Sequence, residues 1–165
     1  MVDYYNELDR NGDGTVDYAT WDVNLDGNPD QIGIDNDFDG QWDQFLRDRN
    51  HDGAWDETWQ DLNQDGKYDL YSRDDNYDGS PNVYGYDLNG DGRWDLFKSD
   101  VNNDGRFETA HRDLNGDGRF ELGEQDRNGD GKVDRYSYQL DDDPAWDLVR
   151  EDNNFDGEFE TTHRF

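Results

Sequence analysis

Apolar side chains in this chain form no long runs. They fall in short segments such as Arg93-Trp94-Asp95-Leu96-Phe97-Lys98, and comparable segments return every 13 residues. Each segment carries aromatic or β-branched side chains and is bounded by clusters of Gly, Asn and Asp. That pattern predicts a short strand between two turns. No window sustains a helical apolar period over three turns, so little helix is expected. The expected class is all-β and repetitive.

The polar clusters share one motif. Asp9-Arg-Asn11-Gly-Asp13-Gly14 returns as Asp22-Val-Asn24-Leu-Asp26-Gly27 and as Asp35-Asn-Asp37-Phe-Asp39-Gly40. The frame runs to 164 as twelve copies of 13 residues, without insertion or deletion. Position 1 is Asp except at Gln139, and position 3 is Asn except at Asp37 and Asp141. Position 5 is always Asp, position 6 is Gly except at Pro144, and position 9 is Asp or Glu except at Asn82.

A second period of 52 overlies the first: Trp42, Trp94 and Trp146, or Gly33, Gly85 and Ser137. After a lead-in of residues 1–8, it divides one repeat domain, 9–165, into units 9–60, 61–112 and 113–164. A four-loop period points to a four-sided coil turn or a four-strand blade. Two architectures satisfy both periods. One is an elongated, solenoid-like stack of strands with ions at its corners. The other is a closed three-fold β body, trefoil- or propeller-like. The solenoid is preferred, because a closed body needs an aliphatic core and the chain holds only 11 Leu, 2 Ile and 7 Val.

Composition sharpens the problem. Leu, Ile, Val and Phe make up 28 of 165 residues, and the formal charge is −29. Such a balance normally means disorder. Yet 15% of the residues are aromatic, so some other term must offset the chain entropy. The acidic surface argues against nucleic acid as a partner. With no apolar run near 18 residues, membrane insertion is not expected. There is no Cys, hence no disulfide staple and no thiolate site.

The charge is phased rather than diffuse: 36 of the 44 acidic residues sit at positions 1, 3, 5 and 9. Hard divalent cations want oxygen ligands, and calcium takes about 6–8 of them. Carboxylates at alternate positions can point inward when the chain wraps an ion, and Gly at position 6 permits the sharp turn. The carbonyl of position 7 then faces the ion, Asn at position 3 supplies a neutral oxygen, and position 9 closes the shell.

The ligands expected on this basis are as follows. The first four loops give Asp9, Asn11, Asp13 and Asp17, then Asp22, Asn24, Asp26 and Asp30, then Asp35, Asp37, Asp39 and Asp43, then Asp48, Asn50, Asp52 and Asp56. The next four give Asp61, Asn63, Asp65 and Asp69, then Asp74, Asn76 and Asp78, then Asp87, Asn89, Asp91 and Asp95, then Asp100, Asn102, Asp104 and Glu108. The last four give Asp113, Asn115, Asp117 and Glu121, then Asp126, Asn128, Asp130 and Asp134, and finally Asp152, Asn154, Asp156 and Glu160, with the loop at 139 left out. Gln139 and Pro144 should leave that loop irregular, since proline cannot make the glycine turn. Asn82 should weaken the loop at 74. About 10–12 calcium ions are therefore expected from the twelve loops.

These residues resemble the D-x-D-x-D-G calcium loops of EF-hands, dockerins, thrombospondin type 3 repeats and FG-GAP repeats. Asn63-Gln-Asp-Gly-Lys-Tyr-Asp-Leu-Tyr and Asn89-Gly-Asp-Gly-Arg-Trp-Asp-Leu-Phe are most similar to the FG-GAP and bacterial thrombospondin-3-like forms. The EF-hand's closing Glu at position 12 occurs only as Glu124, and the 13-residue step leaves no room for flanking helices.

Among the remaining residues, Trp42, Trp94 and Trp146 are expected to pack on neighbouring repeats rather than form a sugar-stacking ladder. His111 and His163 are expected to be structural. No nucleophile–base or paired-acid arrangement stands out, so no enzyme is expected. The expected function is a calcium-stiffened spacer, adhesin or fibre unit of an extracellular or surface protein. The alternative is a module that binds glycan or protein through exposed aromatics. Expected partners are calcium, and beyond it another copy of the chain or a surface glycan. No export signal follows Met1, so a surface location requires a longer exported parent.

Overall fold

The structure, a computed structural model, describes residues 4–141, 143 and 145–165. These divide into two compact units, Met1–Pro81 and Asn82–Phe165. The first unit holds β1 (Tyr4–Leu8), β2 (Tyr18–Asp22), β3 (Gln31–Ile34), β4 (Gln44–Arg47), β5 (Glu57–Gln60) and β6 (Leu70–Arg73). The second holds β7 (Val83–Tyr86), β8 (Leu96–Ser99), β9 (Thr109–Arg112), β10 (Leu122–Gln125), β11 (Arg135–Tyr138), β12 (Leu148–Glu151) and β13 (Thr161–Arg164). No described residue is helical, and no helix is long and apolar enough to cross a membrane. The residues before the first loop thus supply a strand.

Within each unit every strand pairs antiparallel with the next in sequence, so both units are open meanders. The closed three-fold body is not formed. The four-loop period has no counterpart in the strand order either. Antiparallel strands alternate direction, so successive loops fall at opposite strand ends and the structure repeats every two loops, or 26 residues.

The register explains the side-chain pattern. Ala19, Gly33, Phe45, Trp59 and Tyr71 are successive cross-strand partners and line one face of the first unit. Gly85, Phe97, His111, Gly123, Ser137 and Val149 do the same in the second. Position-8 side chains fold back over the faces by turns. Trp94, Phe120 and Trp146 reach the face carrying Phe97 and His111, whereas Phe107 and Phe159 reach Tyr84 and Tyr136 on the opposite face.

In the first unit Trp42, Trp21, Phe45, Trp59 and Tyr71 interdigitate with centroids 5.1–6.2 Å apart and planes 44–88° from parallel. These tilted and edge-on contacts are packing geometry, not a flat platform for sugar. Tyr71 also donates its hydroxyl to Glu57 at 2.9 Å; burial and that acceptor push its pKa up to about 12.

Trp42 lies so close on Gly33 that an added Cβ would sit 2.9 Å from its ring. Gly33→Ala is therefore expected to lower stability by about 1–3 kcal/mol through overpacking, read as a shift in the denaturation midpoint. Gly53→Ala meets no neighbour within 4 Å and carries only the cost of its φ of +92°.

Among the described residues buried apolar side chains are few: Ala19, Tyr71, Val83, Leu96 and Val149. Fifteen buried Asp and the buried Glu57 outnumber them. What lies inside this protein is mostly carboxylate.

Candidate metal centres

The loops owe their shape to short-range hydrogen bonds from backbone to side chain. In the loop at 22, Asp22 accepts the N–H of Leu25 at 2.7 Å and of Gly27 at 2.8 Å, one on each oxygen. Asn24 Oδ1 accepts the N–H of Asp26, and Asp26 Oδ1 that of Asn28, both at 2.8 Å. Asp30 Oδ2 accepts the N–H groups of Val23 and Asn24 at 2.6 and 3.0 Å. The same bonds recur in the loops at 48, 61, 87 and 126, among others. Each short polar side chain thereby mimics a turn of backbone, and positions 1, 3, 5 and 9 are held around one centre.

Among the described residues, four loops bring three carboxylates each to within 4.8 Å. They are Asp35, Asp37 and Asp39; Asp100, Asp104 and Glu108; Asp113, Asp117 and Glu121; and Asp152, Asp156 and Glu160. Asn at position 3 also shapes the loop. Its Oδ1 takes the position-5 N–H, and its amide ties down a carboxylate: Asp69, Asp95, Glu108 and Glu121 each accept from their loop's Asn at 2.9–3.2 Å. The carbonyl keeps a second lone pair for an ion.

All eleven glycines at position 6 have φ between +84° and +97°. Position 4, which sequence reasoning passed over, is left-handed as well. Leu25, Phe38, His51, Gln64, Tyr77, Asn103 and Phe155 have φ of 60–66°, and Gly12, Gly90, Gly116 and Gly129 take the place in other loops. Those four glycines were the available signal.

The loop at 139 differs from the others at its first position. Gln139 has no carboxylate to receive the turn and instead donates its amide to the Asp143 carbonyl. Asp141 and Asp143 keep their local bonds, at 2.9 and 2.7 Å. Pro144 lies outside the described residues. At 74–82, Asn82 donates to Asn103 at 3.0 Å.

Electrostatics favour a cation. In the loop at 35, the one ligand-bearing loop with Asp at position 3, desolvation and the neighbouring Asp39, Asp43 and Asp35 hold the Asp37 pKa above its usual value. Elsewhere hydrogen bonds dominate. The N–H groups of Thr15, Asn28 and Ala54 hold Asp13, Asp26 and Asp52 below theirs. Burial opposes ionisation of Asp152, but the N–H groups of Gly157 and Phe155 outweigh it. A lowered carboxylate pKa stabilises the fold above the unfolded value of about 3.9, and the gain is lost as pH falls through the folded value. Acid should thus loosen the loops below about pH 4, seen as loss of the near-ultraviolet circular dichroism of the tryptophans.

Loops at the same strand ends are joined directly. The position-1 N–H of one loop donates to the position-9 carbonyl of the loop two repeats earlier: Asp48 to Asp30, Asp126 to Glu108 and Asp152 to Asp134, at 2.7–2.8 Å. Side chains add to this. His51 Nδ1 lies 2.6 Å from Asp30 Oδ1, Arg106 reaches the Asp130 carbonyl at 3.5 Å, and Arg127 that of Asp152 at 2.7 Å. Within each unit the loop carboxylates therefore form two rows, linked along each row by backbone.

His111 stacks among Phe120 and Trp146, and His163 lies 3.8 Å from Glu151. Compared with known proteins, the chain matches no family model, and no curated protein or solved structure is similar to it.

Proposed function

We propose that this chain is a calcium-binding structural module that folds and stiffens as its loops fill, serving as a spacer, adhesin or fibre unit outside the cell. One observation carries the reading. Asp17 has no exposed surface, and its Oδ1 is buried with no hydrogen-bond partner. Its Oδ2 accepts from Arg10 and Asn11 at 2.6 and 3.1 Å, so the carboxylate is held with one oxygen unserved. Leaving a buried charged acceptor unsatisfied costs more than the about 1–3 kcal/mol typical of neutral groups. A cation held with Asp9, Asn11 and Asp13 removes that cost.

Calcium suits the donor set best: all ligands are oxygens, and the loops supply more of them than magnesium, which retains its waters, accepts. Eleven ions would take the formal charge from −29 to −29 + 22 = −7. Open loops of this kind in extracellular modules bind at about 10⁻⁴–10⁻³ M, which keeps them filled outside cells and unfilled in cytosol. Equilibrium dialysis against radioactive calcium tests this. The expected result is about 10–12 ions from the twelve loops with such affinities. Uptake of fewer than half that number, or sub-micromolar affinity, would overturn it.

A further inference from the structure

The second unit carries a cavity that the ion loops do not explain. It measures about 240 Å³ and is lined by His111, Gly123, Gln125, Arg135, Ser137 and Trp146. Its origin is legible against the 52-residue period. Gln125 stands 104 residues after Trp21, and Trp146 stands 104 after Trp42. In the first unit Trp21 packs edge-on against Trp42 with centroids 6.2 Å apart. In the second, Gln125 replaces that indole and space opens beside Trp146. The Trp146 ring lies on Gly123, whose added Cβ would come within 3.3 Å, and stacks with His111 at 27° between planes.

The polar groups around this space are unspent. The side chains of His111, Gln125 and Ser137 make no hydrogen bond to any described residue, and Ser137 is only 8% exposed. Arg135 has a loose ion pair, 3.7 Å from Glu151. Buried and half-buried polar groups normally have partners, so convergence of four such side chains on one cavity marks a place for a polar ligand.

Their chemistry selects its class. A metal ion would need carboxylates, and none lines the cavity. An anion would want donors alone, but the Gln125 carbonyl and the Ser137 hydroxyl also offer acceptors, and the chain's charge of −29 repels it. An aliphatic ligand would leave the polar groups unserved. A hydroxyl both donates and accepts, and a sugar ring adds a C–H face for an indole. The volume is below the about 300–1,000 Å³ of drug-sized sites, which suits one ring. We propose that this cavity binds a single neutral pyranose unit, seated on Trp146 and hydrogen-bonded by Gln125, Ser137, His111 and Arg135.

The test uses the whole chain in saturating calcium, with the methyl glycosides of glucose, galactose and mannose as probes and glucuronate as anionic control. Saturation-transfer NMR should show binding of at least one neutral glycoside, at millimolar affinity, and weaker binding of glucuronate. Trp146→Ala should weaken binding at least tenfold. Gln125→Trp restores the residue found at the first unit's equivalent place, so it should fill the cavity, keep the fold and abolish binding. Transfer to none of the three glycosides, tighter binding of glucuronate, or unchanged binding in a folded Gln125→Trp would overturn the proposal. Circular dichroism of the same samples with and without calcium reports the calcium reading separately. A fold indifferent to calcium, with sugar bound, would sink that reading alone.

Discussion

In excess chelator the chain is expected to lose its sheets and expand toward the radius of gyration of about 40 Å expected of an unfolded chain this long. The argument is a comparison of what is buried. Ala19, Tyr71, Val83, Leu96 and Val149 are the fully buried apolar side chains among the described residues, against fifteen buried Asp. Burying an apolar side chain contributes about 1.5–3 kcal/mol, while ordering each residue costs about 1–2 kcal/mol. Five such side chains cannot hold thirteen strands, and the half-buried aromatics add only part of what is missing. Without cations the carboxylates at positions 1 and 9 repel one another across short distances. Metal binding is then folding free energy. Small-angle scattering across a calcium titration gives the measurement. A compact, cooperatively melting protein in excess chelator would show that the aromatic faces suffice alone.

Disabling one loop should be felt along its row rather than along the sequence. Asp126→Ala with Asp130→Ala removes two of the proposed ligands from the loop at 126. Its neighbours in the row are the loops at 100 and 152, joined to it by Asp126 N–H to Glu108 and Asp152 N–H to Asp134, and by Arg106 and Arg127. The loops at 113 and 139 are nearer in sequence but lie at the opposite strand ends. Amide exchange is expected to rise in 100–108 and 152–160 by about tenfold or more, which corresponds to about 1.4 kcal/mol of lost local stability. Residues 113–121 should change less. Equal loosening of all four neighbours, or of none, would show that the row contacts transmit nothing.

Much of this was legible from local pattern. A short strand between loops follows from the 13-residue frame, though it starts later than the segment Arg93–Lys98 suggests, at Leu96, and the turn at position 6 follows from glycine. The change at the start of the loop at 139 could be read from Gln139, because an amide does not offer the two acceptor oxygens that Asp supplies at position 1 of the other loops. The left-handed residue at position 4 was harder to see. Four loops show it as glycine, but Leu25, Phe38 and Tyr77 hide it, since their φ near 60° is held by the Asp at position 1 accepting their N–H.

By itself, the sequence determined the phasing of the loops, the strand spacing and the all-β class, since each depends on residues within one 13-residue window. The open meander, the two rows and the cavity beside Trp146 were decided by tertiary structure alone. Whether successive strands coil, close or fold back depends on pairing between windows, and identical repeats serve all three. Antiparallel pairing sends alternate loops to opposite ends, so contacts run in steps of 26 that neither visible period announces. The 52-residue period acts at a different level. It sets which face positions hold Gly33, Gly85 or Ser137, and whether the neighbour of Trp42 or Trp146 is Trp21 or Gln125. Only the cross-strand register, which makes those distant residues neighbours, turns that difference into a packed core in one unit and a cavity in the other.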